Sequence, residues 1–501
     1  MRRFIAALVL PAALVACSSE SGVRSTAAEP APTSAAQPST TVPTSAVEIP
    51  ITEPSTVPDT VDPGGSLVPG NGVGDELFPE LGATGIDVRH YDVSLSYDPE
   101  ADSIAGTVAV DLTATAPLEQ VLLDAVGLKI TGVTVDGVES EYTVEGAELV
   151  VQPAAPLASG AEARVEVRYA ARPNAGGGAV GIPNGWFHTE GGSYVLNEPD
   201  GARTWMPCND HPADKATFTF NLTVPAGMTA VANGALAEHR TEAAGEVWVW
   251  QQTEPMATYL IQVLTGQYTI EESVTASGLP LLSVAVEGEE GSLAAYTEVT
   301  EQQILFFEEY FGPYPLDRYG IAITDSFGGL AMETQGRSLF SREDLGGGLD
   351  YIEHLLLSHE LAHQWFGDAV TPAAWIDIWL NESFATYAQW MWMEDAGFGA
   401  VQESADFALS MRSSQATGTP QVEELFGFNS YDGGAAVLHA LRLTIGDEAF
   451  FELLQRWVAE NDGTSRTSAE FIALASEVAG QDLADFFQEW LYSPDVPARF
   501  P

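Results

Sequence analysis

The stretch His354–Asp368 reads HLLLSHELAHQWFGD and sets two histidines and a glutamate at a fixed helical spacing. On an α-helix, positions i and i+4 share one face, about one turn apart. His359 and His363 can therefore aim both imidazoles at one ion. Glu360 projects about 100° further round the helix, within reach of a ligand of that ion. Leu355, Leu356, Leu361, Ala362, Trp365 and Phe366 surround the trio, so the helix is expected to be buried. Ionisable groups in such a place must be paired or metal-bound. The pattern H-E-x-x-H is a zinc hydrolase signature, with the first glutamate as general base. The alternative is a pair of core histidines satisfied by backbone carbonyls. Glu382, in the stretch WLNESFATYAQW (Trp379–Trp390), is the expected third ligand. Two histidines and one carboxylate leave a fourth position to water, which marks a catalytic zinc rather than a structural one. Asp377 and Asp368 are candidates to orient the histidines. A loop or helix-cap carboxylate is the stronger reading for both.

The N-terminus reads as a targeting segment. Arg2 and Arg3 precede FIAALVLPAALVA, which is too short, with Pro11 at its centre, for a membrane span. Leu14-Val15-Ala16-Cys17 resembles a bacterial lipobox. Residues 1–16 are then a signal peptide, and lipidation of Cys17 would anchor an exported protein to the outer face of a membrane. A plain secretory signal with an incidental cysteine is the alternative. Residues 17–80 are rich in Ser, Thr, Pro and Ala and are expected to form a disordered tether. Cys17 and Cys208 are the only cysteines, so a lipidated Cys17 leaves no disulfide, and Cys208 reads as a small buried residue. The net charge is −52 and Lys129 and Lys215 are the only lysines, which argues against nucleic acid or anionic lipid as a partner.

Residues 81–271 alternate with the period of strands, as in VRHYDVSLSYD, ARVEVRYAA and TFTFNLTVP, and are expected to form an antiparallel β domain. Residues 272–501 begin with strands around a long helical stretch and end in a run of amphipathic helices. The zinc-binding helix is expected at about 351–366, with Asp447 and Ser468 as candidate N-caps of later helices.

The chain resembles the M1 family of zinc metallopeptidases, the gluzincin aminopeptidases related to leukotriene A4 hydrolase. The resemblance covers about residues 86–497 and rests on separated motifs in the family's order. These are EPDGARTWMPCNDHPADKATF, FGPYPLDRYG, FGGLAMETQG, HELAHQWFGD with WLNES, and SYDGGAAVLHALR. It implies a saddle-like β domain followed by a thermolysin-like, mostly helical catalytic domain, an α+β fold with one Zn2+ per chain. It implies that His359, His363 and Glu382 bind zinc and that Glu360 is the general base. It further implies that Tyr431 stabilises the oxyanion and that Glu333 and Glu198 hold the amino terminus of a peptide, with Ala331 and Met332 beside them at the substrate. Leu330, Thr334 and Leu196 depart from residues the family commonly has near that terminus. Ser383 stands where the family usually has glycine, which a helix tolerates. The family's long C-terminal helical domain finds no counterpart before Pro501, so a more open cleft is expected.

A zinc-dependent aminopeptidase acting on peptides is the expected function. The departures motivate an endo- or oligopeptidase on the same scaffold as the alternative. A non-catalytic peptide-binding lipoprotein is a third reading, and the intact ligands, base and tyrosine argue against it.

Overall fold

The structure is a computed structural model that describes residues 70, 72–173, 176–178, 180–326, 331–345 and 349–501. The signal segment, Cys17, most of the expected tether and Leu330 lie outside the described residues.

The first half is built of strands. Its largest sheet has eight, in the order Ala235–Glu242, Gly245–Met256, Ala216–Val224, Ile86–Asp98, Ser103–Ala114, Glu162–Ala171, Lys129–Val135 and Val138–Glu139. Alternation in the sequence becomes alternation in burial. Tyr91, Val93, Leu95 and Tyr97 point inward from Ile86–Asp98, and the intervening residues are more exposed. The sheet is mixed rather than wholly antiparallel, because Ile86–Asp98 runs parallel to Ala216–Val224, with Tyr91 opposite Phe218. A long crossover separates these two strands in sequence, and a parallel pair requires one. A five-stranded sheet includes Ser193–Leu196 and delivers the chain to Glu198.

The second half opens with a four-stranded sheet, Tyr268–Val274, Pro280–Val286, Ile321–Thr324 and Ser338–Ser341. Eight α-helices are described: α1 (Glu290–Phe311), α2 (Tyr351–Ala362), α3 (Trp379–Asp395), α4 (Val401–Met411), α5 (Gly434–Ile445), α6 (Asp447–Asn461), α7 (Ser468–Ala479) and α8 (Ala484–Trp490). Every residue of α3 from Trp379 to Met393 is buried, including the polar Asn381, Glu382, Ser383, Thr386 and Gln389. Phe384 packs on Phe366, Trp379 and Phe471, which ties α3 to the end of α2 and to α7.

α2 starts with a capping box. The Asp350 carboxylate accepts from Ile352 N–H and the Glu353 carboxylate from Asp350 N–H. The helix stops at Ala362 instead of continuing to residue 366. Tight turns follow, with Gln364 N–H bonded to Leu361 O and Trp365 N–H to Ala362 O, before Gly367 takes φ +130°. The caps of α6 and α7 also differ from expectation by one residue. Gly446 precedes α6, and Thr467 caps α7 in a capping box with Glu470. Ser468 is occupied elsewhere, since its hydroxyl lies between Asp377 Oδ1 (2.5 Å) and Trp379 Nε1 (2.7 Å).

Folded structure begins earlier than the tether boundary at residue 80 suggested. Asp75 is only 4% exposed. Its Oδ1 accepts from Leu77 and Phe78 N–H, and its Oδ2 accepts from Trp375 N–H at 2.7 Å and lies 3.2 Å from His211 Nε2. Phe78 meets Trp375 edge-on at 6.2 Å. Composition misses this segment because one carboxylate and one aromatic ring do most of the holding. His211 belongs to the β half and Trp375 to the helical half, so Asp75 joins the two. Lys215 adds a second link, donating to Asp368 O (2.6 Å) and Ala369 O (3.2 Å) just past the H-E-x-x-H stretch.

Burial alone would raise the Asp75 carboxyl, but His211 and the N–H groups of Trp375 and Phe78 hold it below its usual range. A carboxyl lowered in the folded state stabilises above its unfolded pKa of about 3.9. That contribution disappears as pH falls through the lower folded value. Asp75→Ala is expected to cost about 2–4 kcal/mol in urea unfolding near neutral pH. The gap to wild type should persist to about pH 5 and close in stronger acid. A variant as stable as wild type at pH 7 would show that Asp75 does not join the halves.

Candidate metal centre and active site

α2, α3 and the chain before α5 bring the expected residues together. His359 and His363 lie at the end of α2, and Glu382 is in the first turn of α3. Glu382 Oε2 is 3.3 Å from His359 Nε2 and 3.4 Å from His363 Nε2, so the three donor groups converge. All of their ligand atoms lie within 4.8 Å of one another.

Whether these residues suit a metal can be judged from the far side of each ring. His359 Nδ1 faces Gln389 Oε1 at 3.1 Å, and His363 Nδ1 faces Phe366 O at 3.1 Å. Both partners are acceptors, so each ring's Nδ1–H has a partner and a neutral ring turns a bare Nε2 towards Glu382. Two such nitrogens and a carboxylate are a zinc donor set. Sequence reasoning missed both orienting partners. Gln389 lies seven positions after Glu382, two helical turns along the same face, and that spacing could have revealed it. The Phe366 carbonyl leaves no trace in sequence. Asp377 instead accepts from the amide and hydroxyl of Ser468. The Asp368 carboxylate is buried and makes no hydrogen bond among the described residues.

Glu360 and Glu333 share a second cluster with His363, and Glu198 and Glu333 share a third with Glu382. Glu333 is positioned by Asn381, whose Nδ2 donates to Glu333 Oε1 at 3.0 Å, one residue before Glu382, the expected third ligand. Asn381 is another functional residue that sequence reasoning overlooked. Glu198 follows Asn197, which is fixed by Trp205 Nε1 and Ile261 O, and its own Oε1 is buried without a hydrogen-bond partner.

The electrostatics follow from four carboxylates and two imidazoles gathered in one place, all buried except the half-buried Glu198. Burial, with Glu333 and Glu382 behind it, pushes the Glu360 carboxyl well above its ordinary range. Burial, then Glu333 and Glu382, does the same to Glu198. For His363 burial favours the neutral ring, yet the surrounding carboxylates raise it well above its usual value. Glu382 goes the other way, to about 2, because the two histidines against it outweigh its burial. The cluster is short of positive charge, as a site built for cations should be.

Tyr431 sits in a π-helical turn, Asn429–Gly433, that runs into α5. Single π turns of this kind recur at functional sites. Its ring lies nearly parallel to His359, 6.0 Å between centroids, and its hydroxyl is close enough to Glu382 to interact with it.

The expected neighbours of the substrate divide. Ala331 is half-buried beside Glu333. Met332 turns into the core at 4% exposure, and its N–H and C=O both pair with Leu339, so it has no main-chain group free. Two of the family departures also face inward. Thr334 is fully buried, its hydroxyl accepting from Gln262 Nε2 and donating to Arg337 O. Leu196 is packed in the core of the β half. Cys208 is fully buried, as expected.

The family model described as peptidase family M1 domain matches residues 295–490, and the peptidase M1 N-terminal domain matches residues 88–260. The chain is 26% identical over 437 residues to a protein named probable aminopeptidase 1 of Sulfurisphaera tokodaii, covering 82% of this chain and 54% of that one. It is likewise 26% identical to leucyl aminopeptidase of Saccharolobus solfataricus, with the same coverage. The chain thus spans about half the length of the curated relatives it matches. Among solved structures, the M1 zinc metallopeptidase of Deinococcus radiodurans superposes with a TM-score of 0.78 at 32% identity, covering 85% of this chain and 98% of that one. A mutant of the same enzyme bound to a Tyr-Ser-Ala substrate gives 0.79 at 31% identity, covering 85% of this chain and 98% of that one.

Gln389→Leu removes the acceptor that orients His359. It is expected to weaken zinc binding about 10- to 100-fold in competition with a chelator, without loss of fold by circular dichroism. Unchanged zinc affinity would mean that His359 is oriented by something else.

Proposed function

This chain belongs to peptidase family M1, and we propose that it is a zinc-dependent aminopeptidase that removes residues one at a time from the free amino terminus of peptides. One observation carries the reading. Two carboxylates, the half-buried Glu198 and the buried Glu333, reach within 4.8 Å of Glu382, and Glu198 Oε1 is buried with no hydrogen-bond partner. An α-ammonium group fits that place by charge-assisted hydrogen bonds. Anchored there, a peptide offers its first peptide bond, and no other, to the metal ligands.

Bound to His359, His363 and Glu382, zinc supplies a Lewis acid and a water of lowered pKa. Glu360 is placed beside His363 to take the proton of the attacking water and to return it to the leaving amine. The Tyr431 hydroxyl is a donor for the negative oxygen of the tetrahedral intermediate, and loss of one such donor typically costs about 3–4 kcal/mol. Thr334 and Leu196 face the interior, so neither supports an endopeptidase reading.

We also propose that the protein is exported and held at the outer face of a membrane through lipid on Cys17. Support comes from Arg2, Arg3, the short apolar run and Leu14-Val15-Ala16-Cys17, all outside the described residues. Among the described residues no helix is long and apolar enough to cross a membrane. Mass spectrometry of the mature N-terminal peptide decides the point. An unmodified Cys17, or cleavage elsewhere, excludes lipid anchoring.

The zinc-loaded protein should convert a long free-amine peptide into a ladder of single-residue losses and leave its N-acetylated form intact. Glu333→Ala should lower kcat/KM on the free peptide by about two to three orders of magnitude. Internal cuts, or equal cleavage of the acetylated peptide, would overturn the aminopeptidase reading.

A further inference from the structure

Ser383 follows Glu382 on α3 and is fully buried. Its hydroxyl donates to the carbonyl of Ser430 at 2.7 Å, the residue directly before Tyr431. On the far side of the same turn is Gly434, where a Cβ would come within 1.8 Å of Ser383 Oγ. The serine hydroxyl fills the space that this glycine leaves, and it touches both ends of the segment that carries Tyr431.

That segment needs outside support. In its π turn, Gly433 N–H reaches back to Phe428 O at 2.9 Å, so the regular helical ladder is interrupted and side chains must serve its carbonyls. The Asn429 carbonyl accepts from Thr417 Oγ1 at 3.1 Å, and the Ser430 carbonyl accepts from Ser383. Thr417 belongs to the loop after α4 and is remote from the metal ligands in sequence. Ser383 is covalently next to one of them.

We infer that Ser383 is a positioning residue for Tyr431, fixing the oxyanion donor from the helix that also supplies the metal ligand Glu382. The inference rests on the reading of Tyr431 given under the proposed function. One rigid helix then sets both the ligand and, through a single hydrogen bond, the donor whose distance from the reacting oxygen matters most. Such donors act only when held in place before the reaction, and small displacements are costly.

The test is a double-mutant cycle on the full chain with one zinc per chain confirmed by elemental analysis. Ser383→Ala removes the hydroxyl and keeps helix propensity. It is expected to lower kcat on a free-amine peptide about three- to tenfold, the worth of one hydrogen bond, with KM within about twofold. In a Tyr431→Phe background the same substitution should lower kcat no further. Crystal structures of wild type and Ser383→Ala should show the Tyr431 hydroxyl displaced or split, with His359, His363 and Glu382 unmoved. An equal loss in both backgrounds, an undiminished kcat, or an unmoved Tyr431 would overturn the inference. If the wild-type protein cleaves no peptide, the aminopeptidase reading falls instead, and the two crystal structures still decide the role of Ser383.

Discussion

The interaction on which the rest depends is mutual repulsion among the buried Glu333, Glu360 and Glu382 and the half-buried Glu198, held together beside His359 and His363. Burying like charges together is unfavourable unless cations or shared protons relieve it. The surroundings resolve this differently for each group. Glu382 stays ionised against two imidazoles, whereas Glu360 and Glu198 are pushed towards the protonated form. Under the proposed function, a divalent metal and a substrate ammonium supply the positive charge that such a space lacks.

Holding that arrangement takes both halves of the molecule. α2 contributes the histidines and α3 contributes Glu382, with Asn381 and Ser383 on either side of it reaching to Glu333 and to the Tyr431 turn. The β half supplies Glu198 directly. It also braces the Glu333 loop, where Arg337 bonds to Ala232 O and Gln262 Oε1 and Gln262 bonds to Thr334. Lys215 and Asp75 add links elsewhere along the same boundary. The buried core of the β half runs on into Trp375, Ile378 and Met332, so the two halves share packing as well as site residues.

What could be read in the sequence were features with a period or a fixed spacing. The strands of the β half, the histidine pair and Glu382 all follow from such rules, and the structure joins them as those rules require. Side chains that act through space at irregular separations were hidden. Asp75 lay in a stretch whose composition reads as tether, although one carboxylate with four partners folds its end. Gln389 and Asn381 orient His359 and Glu333 through neutral amides, which sequence does not set apart from other buried polar residues. The end of α2 at Ala362 depends on turns after His363 that no apolar period encodes. The inward turn of Thr334 could not be read either, because a β-branched polar residue gives no sign of which side of a loop it faces.

The central claim is that this carboxylate cluster accepts one metal and one amine side by side. Diffraction data collected at the zinc absorption edge from crystals of the zinc-loaded Glu360→Gln protein, soaked with a free-amine peptide, test it most directly. The account predicts a single anomalous peak bounded by His359 Nε2, His363 Nε2 and Glu382, with the peptide's amino nitrogen between Glu198 and Glu333. A zinc peak away from those three residues would contradict it. So would a peptide whose chain continues past Glu198 and Glu333 instead of ending there.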